Sequence, residues 1–131
     1  MDTRVKYWLD LADYDFETAK AMLKTKRFLY VGFMCHQSIE KSFKAYYTFK
    51  TNETAPFTHS ISTIAKKGNF YDELTELQKD NIDIIEPLNI ETRYPSYKER
   101  LLKSLTKERC KEFIIVTEEF LLWIKIQLSI P

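Results

Sequence analysis

Val5, Leu9, Ala12, Phe16, Ala19 and Leu23 recur at alternating spacings of four and three residues. That period lays them along one stripe of a helix, and it cannot lay them on one face of a strand, where the period is two. Phe28, Val31, Cys35, Ile39, Phe43, Tyr46 and Phe49 repeat the pattern, and so do Cys110, Phe113, Thr117, Phe120, Leu121, Ile124 and Leu128. Three long stripes of one period constrain the chain to an all-α fold. The 131 residues hold only 2 Gly and 4 Pro, which leaves little material for hairpins or for Gly-rich phosphate loops.

The first helix is predicted over about Asp2–Lys26, with Asp2 or Thr3 as its cap, and the second over about Phe28–Lys50. TNETAPFT breaks the second, because Pro56 disfavours helix at Ala55. A short third helix is predicted over about His59–Lys67, closed by a left-handed cap at the Gly68–Asn69 pair. A fourth covers roughly Tyr71–Glu86, with Leu74, Leu77, Ile82 and Ile85 as its apolar points. PLNIETRYP reads as an extended loop between Pro87 and Pro95, and the last helix runs from about Thr106 to Ser129. The expected architecture is one domain over 1–131, an antiparallel up-and-down bundle of four to five helices.

Charge and cysteine usage narrow the function classes. With 20 basic and 19 acidic residues, the net charge of +1 argues against a strong nonspecific nucleic-acid binder and leaves a local basic patch open. Cys35 and Cys110 fall within helical patterns and have no metal-ligand spacing, so reduced thiols, a cytoplasmic setting, no metal and no cofactor are expected. MDTRVKYWLDLADYD carries acidic residues where a signal peptide would need an apolar stretch. FIIVTEEFLLWIKIQLSI carries Glu118, Glu119 and Lys125, which argues against a membrane span. Walker, Rossmann and GxSxG patterns are absent.

Four places carry candidate chemistry. Advancing about 100° per residue along the second helix puts Gln37, Glu40, Lys41 and Lys44 in one arc, opposite Val31, Cys35, Ile39 and Tyr46. This arc reads either as a solvated outer face with Glu40–Lys44 pairing at i,i+4 or as a working face. His59, at the start of the third helix, reads as a helix-start hydrogen-bonding residue or as a proton-transfer or phosphate-contacting group. In ETRYPSYKER, Arg93 and Arg100 suit phosphate, while Tyr94 and Tyr97 suit either stacking on a base or plugging the bundle end. A second apolar line on the last helix, Ile115, Leu122 and Ile126 with Trp123 at its edge, predicts a subunit interface.

YWLDLADYDFETAKAMLKTKRFLYVGFMCHQSIEKSFKAYY resembles the front half of a HEPN domain (higher eukaryotes and prokaryotes nucleotide-binding). The resemblance continues through the His of PFTHSI and the Arg-Tyr-Pro of ETRYPSY. It implies a helical bundle, usually dimeric, paired with a minimal nucleotidyltransferase in a toxin–antitoxin-like system. Ribonuclease members carry an Arg followed after four to six residues by a His, and no such pair exists in this chain. What matches is the non-ribonuclease branch with Arg-Tyr-Pro in the loop, for which nucleotide or polyphosphate binding is implied. Its site residues would be Gln37, Glu40, Lys41, Lys44, His59, Arg93, Tyr94 and Tyr97, with Lys44 and Arg93 on phosphate and Tyr94 or Tyr97 stacking. Two rival expectations stand beside it: a protein-interaction module without a ligand, and a divergent ribonuclease using His59 with Arg93.

Overall fold

The computed structural model describes residues 1–90 and 94–129. Among the described residues, six α-helices form the bundle: α1 (Thr3–Lys24), α2 (Phe28–Thr51), α3 (Ile61–Lys67), α4 (Glu76–Ile85), α5 (Pro95–Ser104) and α6 (Lys107–Ser129). Single turns of 3₁₀ helix at Tyr71–Glu73 and Glu86–Leu88 flank α4, and no strand occurs among the described residues. The Asp2 side chain accepts from the Arg4 N–H at 2.7 Å and caps α1. Three residues then reverse the chain, with Lys26 at φ 61°, and α2 returns antiparallel along α1.

α2 is the centre of the molecule. It packs against α1 on one side and α6 on another, with α3, α5 and the Glu86–Leu88 turn over what remains. Fifteen of its 24 residues are buried, far more than a single stripe supplies. Phe43 stands edge-on to Phe70 at 5.5 Å and to Phe120 at 5.7 Å, and Tyr46 stands edge-on to Trp123 at 5.8 Å. Ser38 Oγ donates to the Ala12 carbonyl at 2.7 Å, where two small residues let α1 and α2 approach. Burial pushes the Cys35 thiol up to about 12 and the Cys110 thiol up to about 11, so neither is poised as a nucleophile.

Several predicted features move. The segment over Tyr71–Glu86 divides, because Thr75 and Gln78 form a reciprocal capping box that starts α4 afresh after an extended Leu74. Leu77, expected in the core, is 67% exposed, and Phe49 also faces outward. The left-handed residue after α3 is Asn69, at φ 64°, while Gly68 stays right-handed. Gly68 is glycine for a different reason: a Cβ there would lie 2.7 Å from the Phe70 ring and 3.0 Å from Tyr47. Pro95, expected in a loop, is the first residue of α5, where its missing N–H is harmless. α5 buries none of its residues, so no apolar stripe announces it. No helix among the described residues is long and apolar enough to cross a membrane.

Candidate functional site

His36, Glu40 and Lys44 follow one another at i, i+4 and i+8 along α2, so they form a single polar line. The expectation of a solvated outer face fails for this line. Lys44 and Gln37 are each 8% exposed, Glu40 2% and His36 1%. The covering comes from the segment after α2, from α3 and from the turn after α4, elements whose arrival over this face has no trace in the local period of α2. Four buried polar side chains are tolerable only if each finds a partner. Among the described residues, no buried side-chain nitrogen or oxygen lacks one.

The partners form a chain. Lys44 Nζ donates to Glu40 Oε2 at 3.1 Å, and His59 Nδ1 lies 3.1 Å from Glu40 Oε1 and 3.3 Å from Oε2. Glu40 thus stands between an ammonium and an imidazole. His36 lies behind it, with Nδ1 3.8 Å from Glu40 Oε1 and Nε2 3.8 Å from Glu86 Oε1. The Gln37 amide reaches His36 Nδ1 at 3.3 Å. Glu86 in turn accepts from the Ile61 N–H at 2.7 Å and from Ser60 Oγ at 3.0 Å, closing the N-terminus of α3 with a carboxylate. His59 precedes the Ser60 cap instead of starting the helix. Its side chain is 54% exposed, against 3% for Glu40, so the buried chain reaches solvent through the imidazole.

Glu86 carries a pH signature. Burial raises its pKa, but the His36 ring, the Ile61 N–H and the Ser60 hydroxyl outweigh that and hold it below the ordinary 4.5. A carboxyl lowered in the folded state stabilises above its unfolded value, and that stabilisation is lost as pH falls through the folded value. Glu86→Gln is therefore expected to lower stability at pH 7 by about 1–2 kcal/mol. The loss is expected to shrink below pH 4.5 as the native carboxyl takes up its proton. Urea unfolding of both proteins at pH 7 and at pH 3.5 measures it.

The remaining predicted residues divide. Lys41 turns toward α1, where it pairs with the buried Asp15, and takes no part in the cluster. Tyr97 Oη donates to the Pro87 carbonyl at 3.1 Å, next to Glu86, and the Arg100 guanidinium lies 5.9 Å from its ring. Tyr94 is 82% exposed at the start of α5. Arg93 lies outside the described residues. On α6, Ile115, Leu122 and Ile126 form an exposed apolar line, while Trp123 is half-buried against Tyr46.

Sequence reasoning missed His36, Glu86 and Trp8 as members of the site. His36 was legible in principle, since the i, i+4, i+8 line begins with it. Glu86 had no signal, because 46 residues separate it from Glu40. Trp8 enters from α1 with its ring centroid 5.2 Å from Lys44 Nζ, a cation–π contact that spacing within one helix cannot reveal.

Comparisons with known proteins agree on what kind of chain this is. The HEPN domain profile matches residues 5–127. The crystal structure of TT1696 from Thermus thermophilus is similar with a TM-score of 0.81 and 17% identity, over 94% of this chain and 97% of that one. The structure of ST0689, an archaeal HEPN homologue, is similar with a TM-score of 0.69 and 24% identity, over 98% of this chain and 100% of that one. At these identities the two structures establish the shared fold. Among curated proteins the chain finds no match.

Proposed function

The chain belongs to the HEPN domain family, and from that premise we propose that it is a noncatalytic HEPN protein that binds a nucleotide or polyphosphate and works as a homodimer beside a minimal nucleotidyltransferase, in a two-component pair of the toxin–antitoxin kind. The observation that carries the binding part is the Lys44–Glu40–His59 chain, buried at one end and open to solvent at the other. An imidazole whose Nδ1 faces a carboxylate presents its outer nitrogen as a donor when charged. In this reading phosphate meets that nitrogen, while Lys44, already on Glu40, acts at one remove by holding the carboxylate. No Arg precedes a His by the spacing of the cleaving members, which supports binding over cutting.

Isothermal titration with ATP, GTP and AMP tests it. Heat is expected with at least one nucleotide, and His59→Ala is expected to weaken binding about tenfold, the loss of one charge-assisted hydrogen bond. No heat with any of them at millimolar concentration sinks the proposal. Co-purification with a nucleotidyltransferase in the absence of any nucleotide heat would favour the plain interaction module.

The α6 line supports self-association: Ile115, Leu122 and Ile126 are 58%, 55% and 57% exposed, an apolar row that a partner would cover. A dimeric mass is expected by light scattering, reduced to a monomer by Leu122→Glu. A monomeric wild type across micromolar concentrations would remove this part.

One observation favours a second reading. The His59–Glu40 contact is also the arrangement that orients a general base, since a neutral ring with Nδ1–H on a carboxylate offers a lone pair at its outer nitrogen. Cleavage of a labelled RNA by the wild type, lost in His59→Ala, would establish a divergent ribonuclease in place of a binding protein.

A further inference from the structure

A hollow of about 250 Å³ opens where the start of α1, the end of α2 and the segment after α2 meet, walled by Arg4, Tyr7, Trp8, Thr48, Thr54 and Ala55. Tyr7 and Trp8 are sequence neighbours, and their rings meet edge to face at 5.5 Å with planes at 73°, so they make two walls of a corner. Tyr7 is 59% exposed, a large aromatic surface left in water beside an open cavity. We infer that this Tyr7–Trp8 hollow takes a nucleobase, the planar end of the ligand whose phosphate end is proposed to sit at His59. The inference rests on the nucleotide reading above and moves the stacking role from Tyr94 and Tyr97 to α1.

Three features decide for a base over other guests. Charge comes first. The Arg4 guanidinium is held on both sides, by Asp2 at 3.0 Å and by the Asn52 side chain at 2.6 Å and carbonyl at 3.2 Å. Its charge is matched by the Asp2 carboxylate, so the hollow has no uncompensated cation for a phosphate and suits a neutral guest. Size comes second. The volume falls below the roughly 300–1,000 Å³ of pockets that enclose a whole drug-sized ligand, which suits one ring system with the rest of the molecule outside. Lining comes third. Two aromatic rings among the walls supply stacking that any base satisfies.

Trp8 ties the hollow to the polar cluster. It walls the cavity and also carries the Lys44 ammonium over its ring at 5.2 Å, and Lys44 holds the Glu40 that meets His59. The hollow and the His59 opening thus share a line of contacts, with Lys44 and Glu40 between Trp8 and His59.

Tryptophan fluorescence tests the assignment. The chain has 2 Trp, so a Trp123→Phe background leaves Trp8 as the sole reporter. ATP and adenosine are expected to quench Trp8 saturably, and inorganic tripolyphosphate is expected to leave it unmoved. Tyr7→Ala, at a half-exposed position, is expected to weaken ATP and adenosine about tenfold and to leave tripolyphosphate unchanged. Calorimetric ATP binding with Trp8 emission unmoved and no effect of Tyr7→Ala would overturn the hollow and leave the nucleotide reading standing. If no nucleotide gives heat, the nucleotide reading falls. Adenosine then decides alone: quenching of Trp8 keeps the hollow as a site for planar heteroaromatics, and its absence overturns it.

Discussion

Lys44→Met is expected to destabilise the protein by about 3–5 kcal/mol, and Glu40→Leu by a similar amount, because the first leaves the buried Glu40 carboxylate with only the half-exposed His59 and the more distant His36 against it, and the second leaves the buried Lys44 ammonium with no carboxylate. The double variant Glu40→Leu/Lys44→Met is expected to recover most of that loss. Both side chains are almost wholly covered, so the pair must offset a large desolvation penalty, and removing the pair together removes the penalty as well. His59 loses its anchor in the double variant but is half exposed and can turn to water. A double-mutant cycle by urea unfolding reads the coupling directly. Additive losses would mean that Glu40 and Lys44 are not the interacting pair their 3.1 Å contact makes them.

Phe43→Ala is expected to cost about 3–5 kcal/mol, the range for truncating a fully buried aromatic. Phe43 has no exposed surface and holds Phe70 and Phe120 edge-on, so its loss opens a cavity between α2, α6 and the segment after α3 and breaks two ring contacts at once. Phe57→Ala, by contrast, is expected to change stability by no more than about 0.5 kcal/mol, since that ring is fully exposed. Thermal or urea unfolding of the two variants side by side separates them. A loss at Phe43 below about 1 kcal/mol would mean that the aromatic centre of the bundle is not where the fold puts it.

The three apolar stripes were legible because their cause is local. Helical period and burial against a neighbour coincide in Val5, Leu9 and Phe16, in Val31, Cys35, Ile39 and Phe43, and in Phe113, Phe120 and Ile124, all of them buried. The same logic misplaced Glu40 and Lys44. A polar arc opposite a core stripe is ordinarily wet, and the arrival of the segment after α2, of α3, of the Glu86–Leu88 turn and of Trp8 from α1 makes it interior. No local pattern announces that arrival. α5 was missed for the opposite reason: none of its residues is fully buried, so its helix has the Pro95 start and local propensity but no buried stripe to read. Tyr7 and Trp8 lie off the apolar stripe of the first helix, and their corner becomes a wall only when the segment after α2 folds beside them.

The central claim is that the buried chain on α2 opens to a nucleotide through His59. The chain has 2 His, and His36 is 1% exposed while the His59 side chain is 54% exposed, so ¹⁵N-histidine labelling gives one interior and one surface imidazole to follow. On titration with ATP, the ring resonances of His59 are expected to shift saturably and those of His36 to move much less. Ring resonances of both histidines unmoved by millimolar ATP, GTP and AMP would contradict the account.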